Sequence, residues 1–433
     1  MHLNSPVLAV LLLTAADLTS SRIFSQIPAN ASLAAAERQL DGKLPNNIPS
    51  DFHFSGTVRT YYIQAEQVTW DYVPTGWDNW LGVPLNASTR AHSSGYTTAS
   101  GSLGTKWQKA LYRGYTNSSF TQPTEQPSWQ GINGPTLRAE VGDMIQILFC
   151  NKLVNNYASM HSMGLAYSKE NEGSLYLNTT TGEGTASVVG DALAPGECYV
   201  YKWLVNDGSA PYPGTNSQMW SYHSYVNMAV DLNTGLAGPT IIYNRGTMNS
   251  TMASHREFVV LFEIFDESMS FLAETNLAMY NTSANASSSA TPATLETDYA
   301  GNMSYWKPQL TNMPTVSLSS TQAPSFYTLN GYVLANSPSF DMCTDDRVIW
   351  YVYAFGSASH VFHMHGNGFN FHGSNLASKS LNDGNMMTLQ MTATATGIWQ
   401  AICHVNDHLS AGMDGLYQVY PKGDCPLDKL SEN

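Results

Sequence analysis

Short runs of β-branched and aromatic residues recur along the chain and are cut off by glycine, proline and asparagine: "TVRTYYIQAEQVTWDYV", "TLRAEVGDMIQILFC", "CYVYKWLV", "GPTIIY", "REFVVLFEIF", "DRVIWYVYAF" and "GLYQVY". Successive side chains of a strand point to opposite faces, so short runs of this composition between turn residues predict strands. No long segment with helical periodicity competes with them. The pattern predicts an all-β protein built from sandwiches. The runs also repeat. "EVGDMIQILFCNKL" before His161 resembles "CTDDRVIWYVYAF" before His360, and "DLNTGLAGPTIIY" after His223 resembles "HLSAGMDGLYQVY" after Cys403. Two copies of one sandwich are therefore expected, over residues 50–247 and 254–425, with the Ser/Thr/Ala/Asn-rich stretch 281–324 as a surface insertion.

The charge balance narrows the partners. With 33 acidic against 19 basic side chains, the formal net charge of -14 repels nucleic acid and anionic lipid, so neither is an expected partner. The opening "MHLNSPVLAVLLLTAADLTSSR" carries an apolar run from Val7 to Ala16 that ends in small residues, the length of a signal-peptide core, and residues 1–21 are read as one. Asn-x-Ser/Thr acceptors at Asn30, Asn86, Asn117, Asn178, Asn249, Asn281, Asn285 and Asn302 agree with export. No later apolar stretch approaches the roughly twenty residues of a membrane span. The expectation is a secreted, extracellular glycoprotein with no membrane anchor. Of the five cysteines, pairing Cys150 with Cys198 and Cys343 with Cys425 puts one bridge in each half and leaves Cys403 free.

Cys403 stands among histidines. "HVFHMHGNGF" holds His360, His363 and His365, and "AICHVNDHLSAGM" holds Cys403, His404, His408 and Met413. A strand-borne cysteine with a histidine five positions on, a methionine five further and a distant histidine from another strand is the ligand set of a blue (type 1) copper centre: Cys403, His408, Met413 and His360. Thiolate and imidazole suit both copper oxidation states, and a weak axial thioether keeps the geometry between their preferences. From about Thr57 to Tyr420, through "WDYV", "KALYRGYTNSSF", "SWQGINGPTLRAEVGD", "YSKENEGSLY", "LAPGECYVYKW", "DLNTGLAGP", "REFVVLFEIFDES" and "YTLNGYV", the chain resembles the multicopper oxidases, in particular the ceruloplasmin and hephaestin group. The resemblance implies two tandem cupredoxin-like Greek-key β-sandwiches.

It also implies a three-copper cluster held by eight histidines from four motifs, of which this chain keeps part. The first motif reads His161, Ser162, Met163; the second His223, Ser224, Tyr225; the third is complete with His360, His363 and His365; the fourth reads Ile402, Cys403, His404. By the family's ligand assignment, type 2 copper keeps His161 and His363. One type 3 copper keeps His223 and His404 with Met163 as a weak third ligand, and the other keeps His365 alone, with Tyr225 and Ile402 in place of histidines. One or two coppers beyond the blue one are expected, and the ordinary water-forming reduction of dioxygen is not supported by so short a set. Tyr222 is read as standing where a first-half cysteine would be, so electrons enter through the second half, with Cys403 and His404 as the through-bond route.

Family ferroxidases place carboxylates and a histidine near the blue-copper histidine edge. Asp407 matches one carboxylate, whereas Gln322 and Tyr327 stand where an acid and a histidine are implied. The leading reading is an oxidoreductase that takes single electrons from a small phenolic reductant at the blue site, with Asp407 as proton acceptor and dioxygen as the candidate electron acceptor. The alternatives are a ferroxidase acting on Fe(II), and a copper-binding or electron-transfer protein without oxidase turnover. Two-domain relatives with blue copper in the second domain form trimers, so a homotrimer is implied.

Overall fold

The computed structural model describes residues 29–177, 184–185, 189–280, 323–356 and 358–431. The leader-like segment 1–21, most of the 281–324 stretch and Gln322 lie outside these residues. The fold is mostly β, and it consists of two tandem cupredoxin-like β-sandwiches.

In the first half, one sheet runs in the order Cys198–Leu204, Met144–Asn151, Val58–Asp71, Lys106–Tyr115. The facing sheet runs Leu137–Glu140, Ala237–Tyr243, Ser217–His223, His161–Met163. Met144–Asn151 and Ala237–Tyr243 are buried at every position, which is why they read as continuous apolar runs rather than as alternation: a central strand has both faces covered.

The second half repeats the plan. Its six-stranded sheet runs Ser325–Leu329, Arg256–Asp266, Arg347–Phe355, Met386–Thr392, Phe369–Phe371, Ser374–Leu376. Its five-stranded sheet runs Phe340–Cys343, Asp414–Tyr420, Gly397–Cys403, His360–Met364, Ser378–Leu381. The parallel pairs coincide between halves: Val58–Asp71 lies parallel to Met144–Asn151 as Arg256–Asp266 lies parallel to Arg347–Phe355. Leu137–Glu140 pairs parallel with Ala237–Tyr243 as Phe340–Cys343 does with Asp414–Tyr420. The repeat heard in the sequence is thus a repeat of topology.

One core spans the two halves. Tyr72, Trp107, Leu111, Met219 and Ile241 pack with Val259, Leu261, Phe326 and Tyr351 in a single buried cluster, and the Tyr72 and Phe326 rings stack at 3.9 Å. Lys109, fully buried, donates to Glu267 at 2.8 Å and to the Asn233 carbonyl at 2.7 Å. A buried charge of this kind persists only with its partner in place, so it ties the halves in one arrangement.

Both expected disulfides are present, and Cys403 is the one free cysteine and is buried. Cys150 and Cys198 face each other in register across adjacent strands and close 48 residues of chain. Replacing both by serine is expected to lower stability by about 2–5 kcal/mol, because the unfolded chain regains the loop's freedom; chemical denaturation of the double variant beside the parent checks this.

Candidate metal centre

The second-half sandwich assembles its donors at the end of one sheet. The strand Gly397–Cys403 runs antiparallel to His360–Met364 with Cys403 opposite Phe362. Beyond Cys403 the chain enters the short helix Asn406–Ser410, which carries His408, and returns through Gly412 to Met413 at the head of Asp414–Tyr420. Gly412 has φ +93°, and a Cβ there would meet the Leu334 backbone nitrogen at 2.7 Å, so this return requires glycine. Two backbone bonds close the loop: Cys403 N donates to the Met413 carbonyl at 3.0 Å, and Met413 N donates to the His408 carbonyl at 2.9 Å.

The result is a compact donor set. The Cys403 Sγ lies 3.7 Å from His360 Nδ1 and 3.5 Å from His408 Nδ1, and the Met413 sulfur lies 3.2 Å from His360 Nδ1. Among the described residues, His360, Cys403 and His408 form the only group of three such side chains close enough to share an ion. Ligand bonds of about 2.1 Å to nitrogen and about 2.3 Å to sulfur set tetrahedral neighbours roughly 3.6 Å apart, so the observed sulfur–nitrogen spacings fit one metal ion between them.

His360, Cys403 and Met413 are fully buried, and His408 keeps 8% exposure. Burial acts alike on every titrating member. It pushes His360 down to about 3, with His408 adding to the effect, lowers His408 and raises Cys403, because a charge is poorly solvated there. Phe262 stacks on the His360 ring at 5.6 Å.

The remaining predicted ligands fall into two groups. His161, His223 and Tyr225 have ring centroids 5.0–5.5 Å apart, and His363 lies 5.1 Å from His365 and 5.2 Å from His404. His161 Nδ1 donates to the Glu172 carbonyl at 2.8 Å, His223 Nδ1 to the Ser224 carbonyl at 2.8 Å, and His363 Nδ1 to the Ala377 carbonyl at 2.7 Å. A carbonyl only accepts, so Nδ1 carries the proton and Nε2 is left as the lone-pair donor. The two groups differ in exposure: His223 is buried and His161 half-buried, whereas His365 and His404 are exposed. Met163 packs against the core between the halves, and its sulfur accepts from the Ser221 hydroxyl at 3.6 Å.

The register corrects one expectation. His223 pairs with His161, and Ile402 pairs with His363, so Ser224, not Tyr222, occupies the place of Cys403 in the first half. The loop bonds agree: Ser224 N donates to the Leu236 carbonyl and Leu236 N to the Asp231 carbonyl, both at 3.1 Å. The counterparts of His360, Cys403, His408 and Met413 are therefore Ala158, Ser224, Asp231 and Leu236. Ser224 donates to the buried Asp231 carboxylate at 2.7 Å, which also accepts from Val226 N and Asn227 N. A small hydrogen-bonded network fills the space a metal would take. Tyr222 instead lies in the first-half core, its hydroxyl donating to the Pro135 carbonyl at 2.7 Å.

A pair of cupredoxin-like sandwiches with one thiol–bis-imidazole–thioether set belongs to the copper oxidoreductases. Two multicopper oxidase family models match the chain, over residues 115–247 and 305–423, and the chain belongs to that family, whose cofactor is copper. It is 29% identical over 394 residues to hephaestin of Mus musculus, 31% over 372 residues to ferroxidase HEPHL1 of Homo sapiens and 30% over 379 residues to ceruloplasmin of Homo sapiens. These matches cover 89%, 84% and 86% of this chain and 31%, 29% and 32% of those proteins. The chain thus spans about a third of the length of the curated relatives it matches. In fold it is similar to the multicopper oxidase mgLAC, with a TM-score of 0.52 at 12% identity, covering 86% of this chain and 89% of that one. It is likewise similar to a copper nitrite reductase from Nitrosomonas europaea, with a TM-score of 0.50 at 13% identity, covering 87% and 98%.

A pH dependence follows from the titrating groups. With the Cys403 pKa raised and those of His360 and His408 lowered, the metal-free site at neutral pH holds a thiol and two neutral imidazoles. Binding as thiolate then displaces one proton, so copper affinity is expected to rise about tenfold per pH unit across the neutral range. Chelator competition at stepped pH checks the slope; a flat line contradicts thiolate ligation.

Proposed function

We propose that the chain is an extracellular copper oxidoreductase that takes single electrons from a small phenolic reductant at the His408 edge. The observation that carries this reading is the buried set of His360, Cys403, His408 and Met413, whose spacings suit one metal ion. Copper held there supplies a one-electron acceptor whose two oxidation states share one geometry.

The chain's own residues do the rest. His408 is the ligand with a solvent-facing edge, and the Tyr327 ring lies 5.2 Å from it, so an aromatic reductant would settle against an aromatic wall. Asp407, exposed on the same helix, accepts the phenolic proton as the electron leaves, so that the reductant departs as a neutral radical. His404 is joined to Cys403 by one peptide unit and links the blue site to His363 and His365. With Tyr327 where the ferroxidase pattern implies a histidine, the rim of His408 suits an organic ring better than Fe(II).

The second group of donors completes itself between copies in this reading. His161, His223 and Tyr225 of one chain would meet His363, His365 and His404 of the next in a homotrimer, where they would hold one or two further coppers whose chemistry would be the reduction of dioxygen. Two disulfides fit an oxidising compartment, as do the exposed acceptors Asn86, Asn117 and Asn249. Among the described residues no helix is long and apolar enough to cross a membrane.

Cys403→Ser is expected to abolish the intense thiolate-to-copper absorption and phenol oxidation together. Asp407→Asn should lower kcat/KM for phenols about 10²-fold or more while leaving the colour unchanged. His161→Ala should remove copper from the second group and stop oxygen uptake but leave the blue band. Oxygen uptake that survives His161→Ala contradicts the inter-chain cluster, and rapid Fe(II) oxidation with no phenol turnover replaces the phenol reading by the ferroxidase one.

A further inference from the structure

The loop that carries His408 and Met413 is held from the other half of the chain. The first-half helix Thr89–Ser93, capped by the Ser88 hydroxyl, presents Arg90. Its Nη2 donates to the Leu409 carbonyl at 3.0 Å and to the Asp414 carboxylate, and its Nη1 lies 3.4 Å from Asp78. Leu409 directly follows His408, and Asp414 directly follows Met413. Asp78 is anchored in turn, accepting from the Ser88 hydroxyl at 2.7 Å and from the backbone of Trp80 and Leu81. The guanidinium is covered by the Trp80 ring at 5.0 Å. Two further bonds grip the same loop: the Tyr96 hydroxyl donates to the Ala411 carbonyl at 2.8 Å, and Leu334 N donates to the Gly412 carbonyl at 2.9 Å.

We propose that Arg90 is a positioning residue of the metal loop: one planar cation from the first half fixes the residues that follow His408 and Met413, and so sets the separation of the solvent-side imidazole from the thioether. The inference rests on copper binding at Cys403 as read above. Geometry favours it over a plain link between halves. A guanidinium donates along fixed directions to several acceptors at once, and here two of the three, Leu409 and Asp414, adjoin ligands while Asp78 anchors the cation. The five residues from Leu409 to Met413 contribute a short helix end and a glycine return, with no strand ladder of their own to hold them. The Arg90 and Tyr96 tethers supply what the loop lacks.

The test uses the copper-loaded full chain and four variants, Arg90→Gln, Arg90→Lys, Tyr96→Phe and Trp70→Phe. The last removes another bond between halves, Trp70 Nε1 to the Gly331 carbonyl at 2.6 Å, outside the loop. Copper affinity by chelator competition, the visible spectrum and EPR are read alongside thermal unfolding. Arg90→Gln is expected to weaken copper retention about tenfold to hundredfold and to change the relative intensities of the thiolate bands. Arg90→Lys, with charge but no fork, should fall between Arg90→Gln and the parent, and Trp70→Phe should lower the melting temperature alone. If Arg90→Gln does not fold, Arg90→Lys and Tyr96→Phe decide by the same readouts. Arg90 and Tyr96 variants that keep the parental spectrum and affinity while melting lower, as Trp70→Phe does, overturn the inference. A parent with no thiolate band overturns the copper reading itself, whereas a blue parent with silent variants overturns only the role of Arg90.

Discussion

A thiol, two imidazoles and a thioether are buried together with almost nothing to satisfy them, and much of the second half is arranged around that fact. Cys403 receives only weak backbone contacts, from Val361 N at 3.5 Å and from Val405, and the Nε2 of His360 is buried without a partner. Polar atoms in an apolar interior without hydrogen bonds cost stability, and burial keeps each of these groups neutral. Three lone-pair donors turned on one point, all uncharged and all desolvated, are poorly suited to one another and well suited to a soft cation. Phe262, Trp350, Phe362 and Tyr417 share one buried core with Cys403 and Met413, and offer the donors no polar partner in place of an ion.

The first half shows what the same frame does when that demand is absent. Ala158, Ser224, Asp231 and Leu236 occupy the four equivalent places. They replace donor atoms with a methyl group, a hydroxyl, a carboxylate bound by three donors and an isobutyl group. Burial raises Asp231 to about 7, yet its hydrogen bonds pin the loop that His408 and the return through Gly412 shape in the second half. One backbone plan thus has two ways of stabilising this loop: an internal polar network, or an ion with outside tethers. Only the second leaves a set of donors for an ion.

The elements that could be read from the chain were those whose signal is local. Buried runs such as "MIQILFC" and "RVIWYVYAF" announced central strands, and the spacing from Cys403 to His408 to Met413 survives folding because a strand end, a short helix and a glycine turn fall within it. The cysteine pairing was legible because each pair lies within one half. Register was not. The place of Cys403 in the first half depends on which residue faces His161, and a slip of two positions keeps the same strand face, so Tyr222 and Ser224 were not distinguishable until the pairing of His223 with His161 was seen. Arg90 gave no signal either, because its partners lie 319 and 324 residues away. The two separate clusters of His161 with His223 and of His363 with His404 follow from sheet placement, which motif spacing does not encode.

That long-range tether bears on how a duplicated fold comes to hold one active centre. Having no counterpart of the Cys403 donor set, the first half still supports that site in two ways that depend on contact rather than chemistry. Its strands share a core with Val259, Leu261 and Phe326, and its loop from Asp78 to Tyr96 lies over the ligand loop. The buried Lys109–Glu267 pair, which cannot lose either member cheaply, keeps the two sandwiches from sliding past each other, and a slide of even one strand position would pull Arg90 away from Leu409 and Asp414. The loop around Met413 is therefore in contact with both halves of the chain. A cupredoxin-like half isolated from its twin would keep the four donor residues and the backbone bonds that close their loop, but would lose the Arg90 and Tyr96 tethers.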